Sequence, residues 1–251
     1  MISITNNSYY LSGLAKINIP VNANWTQQGV SIAGGHGNGN GTNQLYWPHG
    51  IFVDDDQTVV IVDHMYHRII QWKNGHTTNG QIVAGGKGLG NGSNRLDYPT
   101  DVLIDEETDS LIICDRGNKR VVRWSRCSGT TQGEILIDNI DCFGIAMDEQ
   151  RYLYASDVGK WEVRRYQLGE KNGTLVVVAG GNGKGAKLNQ LNDSYYLFVD
   201  RQQNVYVADY KNHRVMKWTK GEKEGLWSLE ETVWGMLRHS CRILMDSLLI
   251  R

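Results

Sequence analysis

Apolar residues in this chain come in short runs and not in helical stripes. VVIV at 59–62, LIIC at 111–114, LYAS at 153–156 and VYVA at 205–208 each stop one residue before an aspartate. Upstream of each lies a second run that ends on an acid: GIFVD at 50–54, DVLID at 101–105, GIAMD at 144–148 and YLFVD at 196–200. Further upstream, three of the stretches carry VSIAGG, QIVAGG or VVVAGG, while the third has EILID at 134–138 and no glycine loop. Downstream, each stretch closes on an aromatic residue: Asp63 to Trp72, Asp115 to Trp124, Asp157 to Tyr166 and Asp209 to Trp218. Those aromatics are 52, 42 and 52 residues apart. No run is long enough for a helix, and the Val, Ile and Tyr content favours strands. Asn74-Gly75, Asn79-Gly80 and Asn172-Gly173 supply turns between them.

Four strands repeating every 40–52 residues predict blades of a β-propeller. A single such sheet cannot bury both its faces, so blades must pack face to face. The expected class is all-β, with units at 29–79, 80–132, 133–172 and 173–224. Residues 1–28 are a candidate partial blade, since Trp25 precedes Gly29 much as Trp72 precedes Gly80. The Trp and Tyr that close the units are expected to pack between blades.

These units resemble the NHL family over roughly residues 29–224, most closely in Asn204–Trp218 with its Asn212-His213-Arg214-Val215. The first unit keeps His67-Arg68-Ile69 and the second Lys119-Arg120-Val121; the third departs with Trp161-Glu162-Val163. The resemblance implies a propeller, usually of six blades. Four blades would then leave sheet faces and edges exposed.

The pattern breaks after Glu224. Leu226, Leu229, Val233, Leu237, Leu244 and Leu248 fall mainly at helical spacing, which suits an amphipathic helix. A second reading is a frameshifted fifth blade over 225–251. Taking each third base with the next two forces glycine at Trp234-Gly235 and at Met245-Asp246. The remaining codons then permit a loop of the same Ala-to-Pro length as 33–48 and 84–99.

Composition narrows the function classes. Glycine is high, at 29 of 251 residues, but no Gly-X-Y period exists, so collagen is excluded. Apolar residues make up 40%, which excludes a disordered chain. The net charge of −1 supplies no global field for nucleic acid, and no apolar run is long enough to span a bilayer. No basic and then apolar leader opens the chain.

Candidate chemistry is sparse. The repeated pairs Asp63/Arg68, Asp115/Arg120 and Asp209/Arg214 read as structural ties across a turn, once per unit. Gly181-Asn182-Gly183-Lys184-Gly185-Ala186 fits a phosphate-loop pattern, yet no helix follows it. The same loops resemble calcium repeats without the aspartate. His67 and His213 share one unit position and read as strand residues; His36, His49, His64 and His76 lie on loops and turns of the first unit. Some relatives implied by the resemblance are metal-dependent lyases of α-hydroxyglycine peptides, and that activity needs histidines converging on the axis. Lys119, Arg120, Arg123, Arg126, Arg164 and Arg165 are expected on an outer strand, as a solvated edge. Cys114 reads as a buried thiol, Cys127 and Cys142 as a candidate disulfide, and Cys241 falls in the tail. Sequons begin at Asn6, Asn24, Asn40, Asn91, Asn172 and Asn192. They favour an extracellular parent protein if the N-terminus is incomplete, and a cytoplasmic one otherwise.

The chain therefore reads as a non-enzymatic scaffold for a protein, peptide or glycan, with no catalytic residue, metal or cofactor. Contacts are expected at the glycine loops and near Pro48, Pro99 and Tyr195. Two alternatives stand: the substrate- or RNA-recognition propeller of a ubiquitin ligase, whose RING residues are lacking here, and a metal-dependent lyase.

Overall fold

The computed structural model describes residues 31–73, 79–127, 130–169 and 175–229. The expected partial blade at 1–28, His76, the sequons at Asn6, Asn24 and Asn172, Cys241 and the tail beyond 229 lie outside the described residues. The chain divides into two compact units, Met1–Asp138 and Asn139–Arg251.

The first unit holds two antiparallel four-stranded sheets. One is β1 (Pro48–Val53), β2 (Val59–Asp63), β3 (Arg68–Trp72) and β4 (Gln81–Gly85), hydrogen-bonded in chain order. The other is β5 (Asp101–Asp105), β6 (Ser110–Asp115), β7 (Arg120–Ser125) and β8 (Glu134–Asp138). The second unit repeats this with β9 (Cys142–Met147), β10 (Tyr152–Asp157), β11 (Glu162–Gln167) and β12 (Val176–Gly180), then β13 (Ser194–Val199), β14 (Val205–Asp209), β15 (Arg214–Trp218) and β16 (Leu226–Leu229). Each sheet is an up-and-down meander of blade type. No helix of the described residues is long and apolar enough to cross a membrane.

The sheets are offset by one strand from the sequence units. The QIVAG run of β4 pairs back onto β3, with Ile69 opposite Ala84, and does not open the following unit. By the same rule Leu226–Leu229 pairs with β15, so the first residues of the supposed helical tail are the outer strand of the fourth sheet. The offset also corrects the place of the basic residues. β7 and β11 are third strands, covered by β8 and β12, and Arg120 is only 6% exposed.

Within each unit the two sheets pack through the alternate residues of their strands. Val60, Val62 and Ile69 of one sheet meet Val102, Ile104, Leu111, Ile113 and Trp124 of the next. In the second unit Tyr154, Val163 and Ala179 meet Leu197, Val207, Met216 and Trp218. Trp72 packs instead on the other face of its sheet, beside Ile32, Ala33 and Leu45. Tyr166, the one closing aromatic that is not Trp, is only half-buried.

Candidate functional site

Antiparallel connectivity gives every blade two ends. One carries the β1–β2 type of hairpin turn. The other, the loop end, carries the glycine loop, the start of the first strand and the short 3-10 turn after the second strand.

The loop end is built on the Asp–Arg pairs. Arg68, Arg120 and Arg214 donate from Nε to Oδ2 of Asp63, Asp115 and Asp209 at 2.7, 2.6 and 2.7 Å. The other oxygen, Oδ1, accepts the backbone N–H of Tyr46, Asp97 or Asn192. The rest of each guanidinium reaches into the incoming glycine loop. Arg68 donates to the carbonyls of Asn40, Gly41 and Gln44, Arg120 to those of Asn91, Gly92 and Arg95, and Arg214 to those of Ala186, Lys187 and Gln190. Burial pushes all three carboxyls upward, and the Arg, backbone and, in two blades, Asn donors pull the other way. One planar five-donor group thus fixes a loop that has no secondary structure of its own.

The third blade departs, as its sequence does. Glu162 takes the arginine's place opposite Asp157. Arg164 turns back to Glu162 and stays 4.0 Å from Asp157. Asp157 Oδ2 is buried with no hydrogen-bond partner, and burial raises this carboxyl, with Glu162 adding to the effect. Only three residues connect β8 to β9, so there is no glycine loop for an arginine to hold.

On this frame sit ring clusters. In the first unit His49 and His64 stack at 4.3 Å, and Tyr98 lies 5.2 Å from His64 and 4.6 Å from His67. His64 Nδ1 donates to the Pro99 carbonyl at 2.9 Å. His67 Nδ1 accepts the N–H of Tyr98 at 3.0 Å, so its 3.8 Å approach to Asp97 is not an ion pair. His67 and His213 are not strand residues: both hold a left-handed backbone, φ 52°, at the end of the 3-10 turn. Burial pushes His49 down to about 4, with His64 and Arg116 adding to the shift, and burial likewise lowers His64. Trp47 and Tyr98 each precede a proline in the left-handed region, at φ 53° and 44°, and are 63% and 40% exposed. Asp193 holds the same backbone, φ 58°, at the matching place in the fourth blade, so this is a repeated turn that happens to present bulky rings in the first two.

In the second unit Phe143, Tyr195 and Tyr210 form a stack, with centroids 4.1 and 4.6 Å apart and planes within 7° and 10°. Tyr196 meets Phe143 edge-on at 5.3 Å. Ser156 Oγ fixes the backbone beneath, accepting the N–H of Gly144 at 2.9 Å and donating to the Tyr195 carbonyl at 3.0 Å.

Of the other expected site residues, Asn40 and Asn91 are exposed on glycine loops. Asn192 is not presented: its Oδ1 is buried, and Ser194 of the same sequon is 0% exposed. The disulfide expected between Cys127 and Cys142 does not form. Cys127 is a free, exposed thiol on the loop after β7, whereas Cys142 opens β9 fully buried and is disulfide-bonded. Cys114 is also disulfide-bonded and not a thiol. Among the described residues no three His, Cys, Asp or Glu side chains converge as a metal site needs. His49 and His64 alone do not complete a ligand set, so no step through a metal is derived.

No family model matches the chain. A curated relative, peptidylglycine alpha-amidating monooxygenase of Rattus norvegicus, is 30% identical over 88 residues, covering 34% of this chain and 9% of that protein. Two structures of virginiamycin B lyase from Staphylococcus aureus share the fold. One is a catalytically inactive form with Quinupristin, at 12% identity and a TM-score of 0.52, covering 74% of this chain and 56% of that one. The other is selenomethionine-substituted, at 13% and 0.52, covering 77% and 59%. The chain thus spans less than two thirds of the length of each of these proteins. The four blades among the described residues are those of a β-propeller.

Proposed function

We propose that this chain is a binding propeller of NHL type whose loop end takes a peptide. The carrying observation is the presentation of rings there. Trp47 and Tyr98 stand exposed in one unit, and Tyr210, Tyr195 and Phe143 form a continuous stack in the other. Flat rings held rigid by packing give large contact area at little entropic cost, as in other recognition surfaces. A peptide is preferred to a glycan because the rat relative is named for peptidylglycine. Selection of peptides from a random library on the immobilised chain tests this. Selected peptides should lose affinity about tenfold or more on Tyr98→Ala or Tyr195→Ala, a loss of the size seen for aromatic anchors. Selection of no peptide, or of peptides indifferent to both substitutions, would overturn it.

One observation favours a second reading, as an enzyme on the same end. His64 commits Nδ1 to the Pro99 carbonyl and is held toward the neutral form, which leaves Nε2 as a base beside Tyr98 and Arg116. Such a base suits proton abstraction in a lyase reaction. Incubation with an α-hydroxyglycine-extended peptide should then release the peptide amide and glyoxylate, and His64→Ala should abolish release. No release by the intact chain would remove this reading while leaving binding in place.

A further inference from the structure

We propose a separate site for a small phosphate or sulfate ester at the hairpin end of the second unit. A cavity of about 330 Å³ opens there, lined by Gln150, Tyr152, Arg165, Arg201, Gln203 and Lys220 among others. That volume is at the lower end for small-molecule sites and suits a ligand of monosaccharide size.

The lining is set in place. Gln203, 7% exposed, donates from Nε2 to Asp148 Oδ2 at 2.6 Å and to Gln150 Oε1 at 3.0 Å. The second bond engages the Gln150 carbonyl and leaves its amide nitrogen as the donor. The Arg165 guanidinium lies 4.4 Å over the Tyr152 ring and donates one hydrogen bond to the Tyr154 hydroxyl, which leaves its other N–H groups for a ligand. Arg201 meets Glu149 at 3.3 Å across the rim, with both side chains about half exposed, 53% and 43%. Lys220 is exposed beside them.

The same place in the first unit carries the opposite charge. Asp54 and Asp148 open equivalent turns, each accepting a backbone N–H four residues on, from Thr58 or Tyr152. Gln71 pairs with Val60 as Arg165 pairs with Tyr154. Glu106 and Arg201 follow the first strands of their sheets, and Asp109 and Gln203 both hold left-handed backbone. Arg126 and Lys220 each lie two residues past a closing Trp. In the first unit Arg126 is occupied, at 3.2 Å from Asp54 and 3.4 Å from Asp109. In the second unit Asp56, Gln71, Glu106 and Asp109 become Gln150, Arg165, Arg201 and Gln203. A generic blade edge would repeat its charges; this one replaces acids with bases and amides around a cavity. Converging guanidinium, ammonium and amide donors are what a tetrahedral oxyanion binds, while Tyr152 and the glutamines suit the hydroxyls of the ester.

Calorimetric titration of the full chain at low salt tests this with glucose 6-phosphate, glucose 6-sulfate and uncharged glucose. At least one ester should bind and glucose should not; which ester binds identifies the oxyanion. Arg165→Gln should weaken binding about tenfold, and Lys220→Gln, at an exposed position that the fold does not need, several-fold. Arg126→Gln, in the first unit, should leave binding unchanged. Absence of binding by both esters at millimolar concentration, equal binding of glucose, or affinity indifferent to Lys220→Gln in the folded variant would overturn the proposal.

Discussion

Asp63, Asp115 and Asp209 stand where Asp157 stands, yet only the first three face an arginine. Removing one partner of a buried pair leaves the other uncompensated, at a cost of about 3–5 kcal/mol. Arg120→Met and Arg214→Met should each lower the denaturation free energy by about that amount. Asp157→Asn should cost far less, about 1 kcal/mol or under, since no guanidinium hydrogen-bonds this carboxyl and burial already disfavours its charge. Urea melts of the three variants make the comparison, and a large loss in Asp157→Asn would contradict it. The histidines set a pH dependence. His49 is held near 4 against an ordinary 6.5, so the folded state binds fewer protons than the unfolded one between those values. The His49 contribution to stability should be full above about pH 6.5 and fall as pH drops toward 4, against the opposite trend of the raised aspartates, and His49→Gln should remove that fall. A fall of unchanged slope in the variant would show that other groups carry it.

At the scale of elements, much was legible in the sequence. Short β-branched runs, turn pairs and the recurring Asp-to-aromatic stretch marked the strands inside the units, because each is a local signal, whereas Leu226–Leu229, read with the tail, proved to be a strand. The sheet boundaries were not legible. A tandem repeat has no intrinsic start, and only pairing of β4 with β3 assigns QIVAG to the sheet before it. The one-turn spacing of Asp63 and Arg68 was readable, whereas the carbonyls that Arg68 holds at Asn40 and Gly41 lie 28 and 27 residues away. The ring stacks were hidden for the same reason, since Phe143 and Tyr195 come from different blades. Glycine marks where blades touch. A side chain on Gly144 would place Cβ 2.5 Å from the Tyr195 carbonyl, and one on Gly50 would place it 2.7 Å from Asp101 Cα. Gly144→Val should therefore cost about 2–4 kcal/mol and break the Phe143–Tyr195 stack. Near-ultraviolet circular dichroism reads the stack, and an unchanged spectrum with unchanged stability would refute the close approach.

At the scale of the whole molecule, spacing along the chain did not decide the cysteine chemistry; burial did. Cys127 should react with a maleimide in the native protein, and Cys114 and Cys142 only after reduction and unfolding. Labelling at all three without reductant would contradict the assignment. The two ends of the blades carry different chemistry, rings at one and, in the second unit, cations at the other. The separation lets a peptide and an ester be tested independently on one chain. The most direct test of the loop end as the recognition surface is hydrogen exchange of the chain with and without a selected peptide. Slowed exchange is predicted around 46–50, 64–67 and 97–101 for a peptide held by the first unit, or around 142–145, 193–196 and 209–213 for one held by the second, with the hairpin turns at 148–152 and 200–204 unchanged. Protection confined to those hairpin turns, or none at any loop end, would contradict the account.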